Sequence, residues 1–134
     1  MEDCIFCKIV RGEAPCHKVW EDEEFLAFLD LSQISYGHVL VIPKKHCENV
    51  CDCDDETLGK INITCKKIGL KLKENLGATG FNVLNASGKD AQQSVFHLHY
   101  HVVARYSEDG IDLWFHENEK FGDKLEEIKK KILE

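Results

Sequence analysis

No stretch of this 134-residue chain approaches the ~20 consecutive apolar residues that a membrane-spanning helix requires. The opening Met1-Glu2-Asp3-Cys4 is acidic and lacks the basic stretch and apolar core of an export signal, so the expected location is cytoplasmic. Repeats, low-complexity tracts and linkers are missing too, which makes residues 1–134 one expected domain. Positive charge is scarce: 17 Lys and Arg face 24 Asp and Glu, a net charge of -7. Tracking a nucleic-acid backbone needs clustered Lys and Arg, so no broad nucleic-acid face is expected. A single small phosphate is still admissible, because a few backbone N–H groups and histidines can hold one locally.

What is present fits an ordinary globular domain, 43% hydrophobic and 31% charged. Seven cysteines, an odd number in a chain read as intracellular, imply thiols and a metal site rather than a disulfide framework. Cys4 and Cys7 form a C-x-x-C; the others are Cys16, Cys47, Cys51, Cys53 and Cys65.

Hydrophobic periodicity divides the chain into short elements. Residues 4–12 read as a turn or short helix ended by Gly12. Strands are expected at 18–21 and 25–30, joined by the acidic turn Asp22-Glu23-Glu24, and at 38–42 between Gly37 and Pro43. Leu58, Ile61, Cys65, Ile68 and Leu72 recur at steps of three and four, one face of a helix over 55–76. Asp54 or Asp55 would cap that helix and Gly77 would end it, while Gly59 and Gly69 weaken it by ~1 kcal/mol each relative to alanine. Strands are expected again at 81–85 and 94–105, separated by turn chemistry at 86–90, and a last helix starts near Asp123 with Leu125, Ile128 and Ile132 inward. Together these make an α+β domain: a five-stranded, largely antiparallel sheet with one long helix and a C-terminal helix.

The most informative segment is Phe96-His97-Leu98-His99-Tyr100-His101-Val102. On a strand, residues two apart share a face, so the three histidines would line up ~6.5–7 Å apart. Phe96, Leu98, Tyr100 and Val102 would then pack on the core. His17 and His116 have no such context and read as surface residues.

The run His97-Leu98-His99-Tyr100-His101-Val102-Val103, preceded by Gln93-Ser94-Val95, resembles the H-φ-H-φ-H-φ-φ signature of the histidine triad family, φ being apolar. The resemblance extends over nearly the whole chain, through Ile5-Phe6-Cys7-Lys8-Ile9, Phe28-Leu29-Asp30 and the segment from Gly37 to His46. Order and spacing are closer to the Hint branch than to the Fhit branch.

The resemblance implies a hydrolase of purine nucleoside phosphoramidates or related adenylates, working through a nucleotidyl-histidine. It assigns His99 as nucleophile, His101 to the phosphate oxygens and His38 to their support. Ser94 is assigned to the phosphate or leaving group and Asn85 and Gln93 to nucleotide binding. Asp30 would take the ribose, and Phe6, Ile9, Phe28, Leu31 and Leu40 the base. The family commonly has glycine where Gln92 stands, which leaves donor assignments in that loop open. Zinc-containing relatives pair such a C-x-x-C with two histidines, here His46 and His97, so a structural Zn2+ on Cys4, Cys7, His46 and His97 is implied. Cys47, Cys51 and Cys53 beside His46 are competing ligands. Members of this size pair as homodimers with a ten-stranded sheet, the C-terminal region reaching toward the partner's site. Trp114 is expected either there or in the core. A nucleotide-binding module without turnover and a zinc-dependent structural protein are the alternatives, and the leaving group and the choice of adenine or guanine stay open.

Overall fold

A computed structural model describes residues 3–134. The elements run α1 (Ile5–Val10), β1 (Lys18–Glu21), β2 (Phe25–Leu29), β3 (His38–Pro43), α2 (Asp55–Leu76), β4 (Gly80–Asn85), β5 (Tyr100–Arg105) and α3 (Leu125–Leu133), with 3₁₀ turns at Lys89–Ala91 and Glu119–Phe121. The five strands form one antiparallel sheet in the order β1-β2-β3-β5-β4. Among the described residues no helix is long and apolar enough to cross a membrane.

Local chemistry sets the long helix. The Asp54 carboxylate accepts the Thr57 N–H at 2.8 Å as N-cap, and Gly77, left-handed at φ 77°, closes the C-terminus. Its apolar face, Ile61, Cys65, Ile68 and Leu72, packs on Ala27, Val39, Val41, Val102 and Ala104 of the sheet. The alternate side chains of the same strands, Leu26, Phe28, Leu40 and Ile42, face the other way and are covered by Phe6 and Ile9 of α1. β3 is therefore buried on both faces, as its unbroken apolar run implies.

Three expectations are corrected. The last strand starts at Tyr100, not near Ser94. Beyond the Val41–Tyr100 pair the neighbouring strand runs into Pro43, which has no N–H to give. Side chains take over the backbone acceptors there: the His97 ring bonds the Pro43 carbonyl and the His99 ring the His97 carbonyl, both at 2.8 Å. The Leu98 N–H turns away to the Cys47 carbonyl at 2.7 Å. Phe96 consequently leaves the core and is 43% exposed. The third correction concerns the C-terminal region: α3 buries none of its residues, so Leu125, Ile128 and Ile132 are not inward, and Trp114, stacked on Phe115, is 70% exposed rather than a core aromatic.

Candidate active site and metal centre

His97 and His99 lie just before β5 and His101 at its start, in the interior of the sheet, and His38 comes from the adjacent β3, where Leu40 pairs with His101. His99 is buried, and its Nδ1 lies 2.8 Å from the His97 carbonyl oxygen. A carbonyl only accepts, so Nδ1 carries the proton and Nε2 keeps its lone pair. Burial lowers the pKa of His99, opposed by the bond to that carbonyl and by the Asp30 carboxylate. The ring is thus neutral around pH 7.

The second imidazole pair is ordered by a similar constraint. His38 Nδ1 is buried with no partner among the described residues. Its proton therefore belongs on Nε2, which lies 2.8 Å from His101 Nδ1 and 3.5 Å from Asp30 Oδ2. Because His101 accepts through Nδ1, its own proton sits on Nε2. Burial, then the neighbouring His99 and His38 rings, push the His101 pKa down to about 4, with Asp30 opposing. Asp30, His38 and His101 also lie close enough to hold a cation. Ligation through His38 Nε2 would force the proton onto the orphaned, buried Nδ1, so hydrogen bonding accounts better for the trio.

A cleft of about 450 Å³ lies against these rings. It brings together His99, His101, Ser94, Asp30, Phe6, Ile9, Phe28, Leu31 and Leu40, all singled out from the sequence, with Leu31 87% exposed at its rim. Its lining combines two imidazoles, a hydroxyl and a carboxylate with a larger apolar surface, and the Phe6 ring meets the His99 ring edge-on at 5.3 Å between centroids. Ile5, Ala14, Pro15, Cys16, Leu29 and Val95 line it as well. Ile5 and Ile9 are one helical turn apart, a legible signal; the approach of residues 14–16 depends on the turn made after Gly12, left-handed at φ 77°.

Three sequence-predicted residues stay outside the cleft. His38 stands behind His101. Asn85 donates from Nδ2 to the His99 carbonyl at 3.0 Å, holding the backbone of His99. Gln93 is buried among backbone groups. Gln92, the departure from the family glycine, adopts a left-handed φ of 70°, a conformation glycine reaches without strain.

The other cluster joins the amino terminus to the triad. Cys4 Sγ lies 3.3 Å from His97 Nδ1, Cys7 Sγ 3.3 Å from His46 Nδ1, and the two Nδ1 atoms 3.1 Å apart. All four ligand atoms fall within 4.8 Å of one another. Tetrahedral zinc with thiolate and imidazole ligands separates its donors by about 3.3–3.8 Å, so the set fits with small adjustment. His97 Nε2 donates to the Pro43 carbonyl, which leaves the unprotonated Nδ1 with its lone pair facing the cluster. Burial brings the His97 pKa down to about 4, which keeps the ring neutral and its Nδ1 able to ligate a metal. These four residues could bind a metal. Cys47 and Cys53 are buried and Cys51 exposed, and none joins the set.

Three histidines at the start of β5, two of them buried, beside a largely apolar cleft on one antiparallel sheet define the class, and comparison with known proteins agrees. The profile described as the HIT domain matches residues 11–108. "Protein hit" of Bacillus subtilis is 48% identical over 111 residues, 82% of this chain and 77% of that one. An adenosine 5'-monophosphoramidase of Schizosaccharomyces pombe is 41% identical, covering 79% of this chain and 77% of its own. An adenylylsulfatase of Arabidopsis thaliana is 39% identical over 80% of this chain and 54% of its own. Among solved structures, a Zn-bound histidine triad family protein from Mycobacterium smegmatis superposes with a TM-score of 0.81 at 36% identity, covering 98% of this chain and 96% of that one. The chain belongs to the HIT domain family, whose named relatives here include hydrolases of adenosine nucleotides.

Proposed function

We propose that the protein hydrolyses purine nucleoside phosphoramidates or related adenylates at the α-phosphorus, through a covalent intermediate on His99. One observation carries this: the His99 Nδ1 proton is committed to the His97 carbonyl, so an unprotonated Nε2 is available beside His101 and Ser94 in a cleft large enough for a nucleoside monophosphate. In the first step His99 Nε2 bonds to phosphorus and the P–N or P–O bond to the leaving group breaks, the departing group taking a proton from solvent or from a cleft hydroxyl. In the second, water adds to phosphorus and gives up a proton, which replaces the one taken in the first step; the P–Nε2 bond breaks, its electron pair returning to His99, and the nucleoside monophosphate leaves.

His101 presents its Nε2–H to the phosphate oxygens, held in that tautomer by His38, and Ser94 hydrogen-bonds the phosphate or leaving group. Asp30 takes the ribose hydroxyls while Phe6, Ile9, Phe28, Leu31 and Leu40 enclose the base. Asn85 acts through the backbone of His99. Cys4, Cys7, His46 and His97 would hold zinc, which would supply a structural cross-link between α1 and the triad. The protein works as a homodimer, a reading supported by the apolar row Leu125, Ile128 and Ile132 and the exposed Trp114 and Phe115, which a second copy would cover.

The test is hydrolysis of adenosine 5'-phosphoramidate by wild type and His99→Ala, with folding, zinc content and AMP affinity measured alongside. The expected result is turnover reduced by more than about a thousandfold in a folded variant that still binds AMP. Wild-type protein that binds AMP but shows no turnover would instead make the chain a binding module.

A further inference from the structure

Gln93 stands next to Ser94 in sequence, yet its side chain points away from the cleft and is buried. A primary amide offers two acceptor lone pairs and two N–H donors. Oε1 accepts the Gly88 N–H at 2.8 Å and the Asn49 Nδ2–H at 3.4 Å. Nε2 donates to the Glu48 carbonyl at 2.7 Å and to the Val95 carbonyl at 3.0 Å. All four capacities are used inside the protein, so none is left for a ligand.

These four partners lie on two segments that no strand pairing joins. Glu48 and Asn49 follow His46 in the loop on the metal side, while Gly88 and Val95 flank the turn that delivers Ser94. A second stitch runs parallel: the Val50 N–H donates to Ser87 Oγ at 3.3 Å, Ser87 Oγ donates to Asn85 Oδ1 at 3.1 Å, and Asn85 Nδ2 reaches the His99 carbonyl. We propose that Gln93 is a positioning residue, not a nucleotide ligand, and that its amide ties the loop carrying His46 to the turn that faces the substrate phosphate. This rests on the nucleotide-hydrolase reading above. Exposed turns are pliable, and this one contains a left-handed Gln92; the buried amide holds its N–H groups and Ser94 in one place.

Gln93→Glu tests the assignment while nearly preserving volume. The carboxylate still accepts from Gly88 and Asn49 but sets an oxygen against the Glu48 and Val95 carbonyls, and Gln93→Leu removes all four bonds. Affinities for AMP and for adenosine are compared in zinc-loaded protein. The expected outcome is AMP binding weakened by about tenfold or more in both variants with adenosine binding nearly unchanged, because only AMP uses the turn. kcat/KM should fall in parallel and zinc content should stay at the wild-type value. Equal weakening of both ligands, or of neither, overturns the proposal, since a general packing role would not separate them. Wild-type protein that does not prefer AMP to adenosine would instead overturn the nucleotide-hydrolase reading itself. Should the variants fail to fold, hydrogen exchange of wild-type Gly88 decides: a protected amide is expected, and exchange at the unprotected rate rejects the clamp.

Discussion

The backbone carbonyl of His97 accepts the Nδ1 proton of His99 at 2.8 Å, while the His97 ring turns its own Nδ1 toward Cys4 and His46. One residue thus sets the tautomer of the proposed nucleophile and closes the candidate metal cluster. The candidate cluster and His99 are therefore linked through the ring and the carbonyl of the same residue.

Metal removal should therefore cost both stability and turnover. Cys4→Ser or Cys7→Ser is expected to lose zinc and to lower unfolding stability by on the order of 3 kcal/mol or more, with turnover falling together with zinc content. Elemental analysis with thermal denaturation and the hydrolysis assay reads this directly. A zinc-free variant of undiminished stability would remove the cross-link from the account.

Two glycines in α2, alike in propensity, should respond in opposite directions. A Cβ at Gly59 meets nothing within 4 Å, whereas at Gly69 it would fall 2.3 Å from the Phe81 ring. Gly59→Ala should stabilise the protein by about 0.5–1 kcal/mol through helix propensity. Gly69→Ala should destabilise it by about 1–3 kcal/mol, because Phe81 must give way. Urea unfolding of both variants checks the contrast.

Acid should weaken the fold through His101. Its folded pKa of about 4 lies below the unfolded value of ~6.5, so the unfolded chain binds more protons between those limits. The contribution to stability is complete above about pH 6.5 and is lost as pH falls toward 4, at no more than ~1.4 kcal/mol per pH unit. Wild type should thus lose more stability than His101→Asn between pH 7 and pH 5, with the zinc ligands common to both. Parallel losses would show that His101 titrates normally.

Much of the site was legible because its chemistry is written in short local patterns. The spacing of the three histidines, the Cys4–Cys7 pair and the resemblance they anchor pointed to nine cleft-lining residues and four metal-ligand candidates, which the fold brings together. Asn85 and Gln93 were legible as polar residues near the triad but not as bonds to backbone, since their partners lie across the fold. The single-strand reading of residues 94–105 failed for a related reason: apolar alternation does not reveal that side chains have replaced the ladder beside Pro43.

By itself the sequence determined the element order, the extent of the long helix up to Gly77, and the residue types available for nucleophile, phosphate and metal. Those depend on periodicity, capping and side-chain chemistry, which act over a few residues. Tertiary structure alone decided which ring nitrogen of His99, His101 and His38 carries a proton, which polar side chains reach the cleft, and which apolar residues of the C-terminal region stay uncovered. Each of those turns on where a carbonyl, a ring or a second surface sits in space, and residues as distant as Cys4 and His97 become neighbours only when the sheet closes on α1.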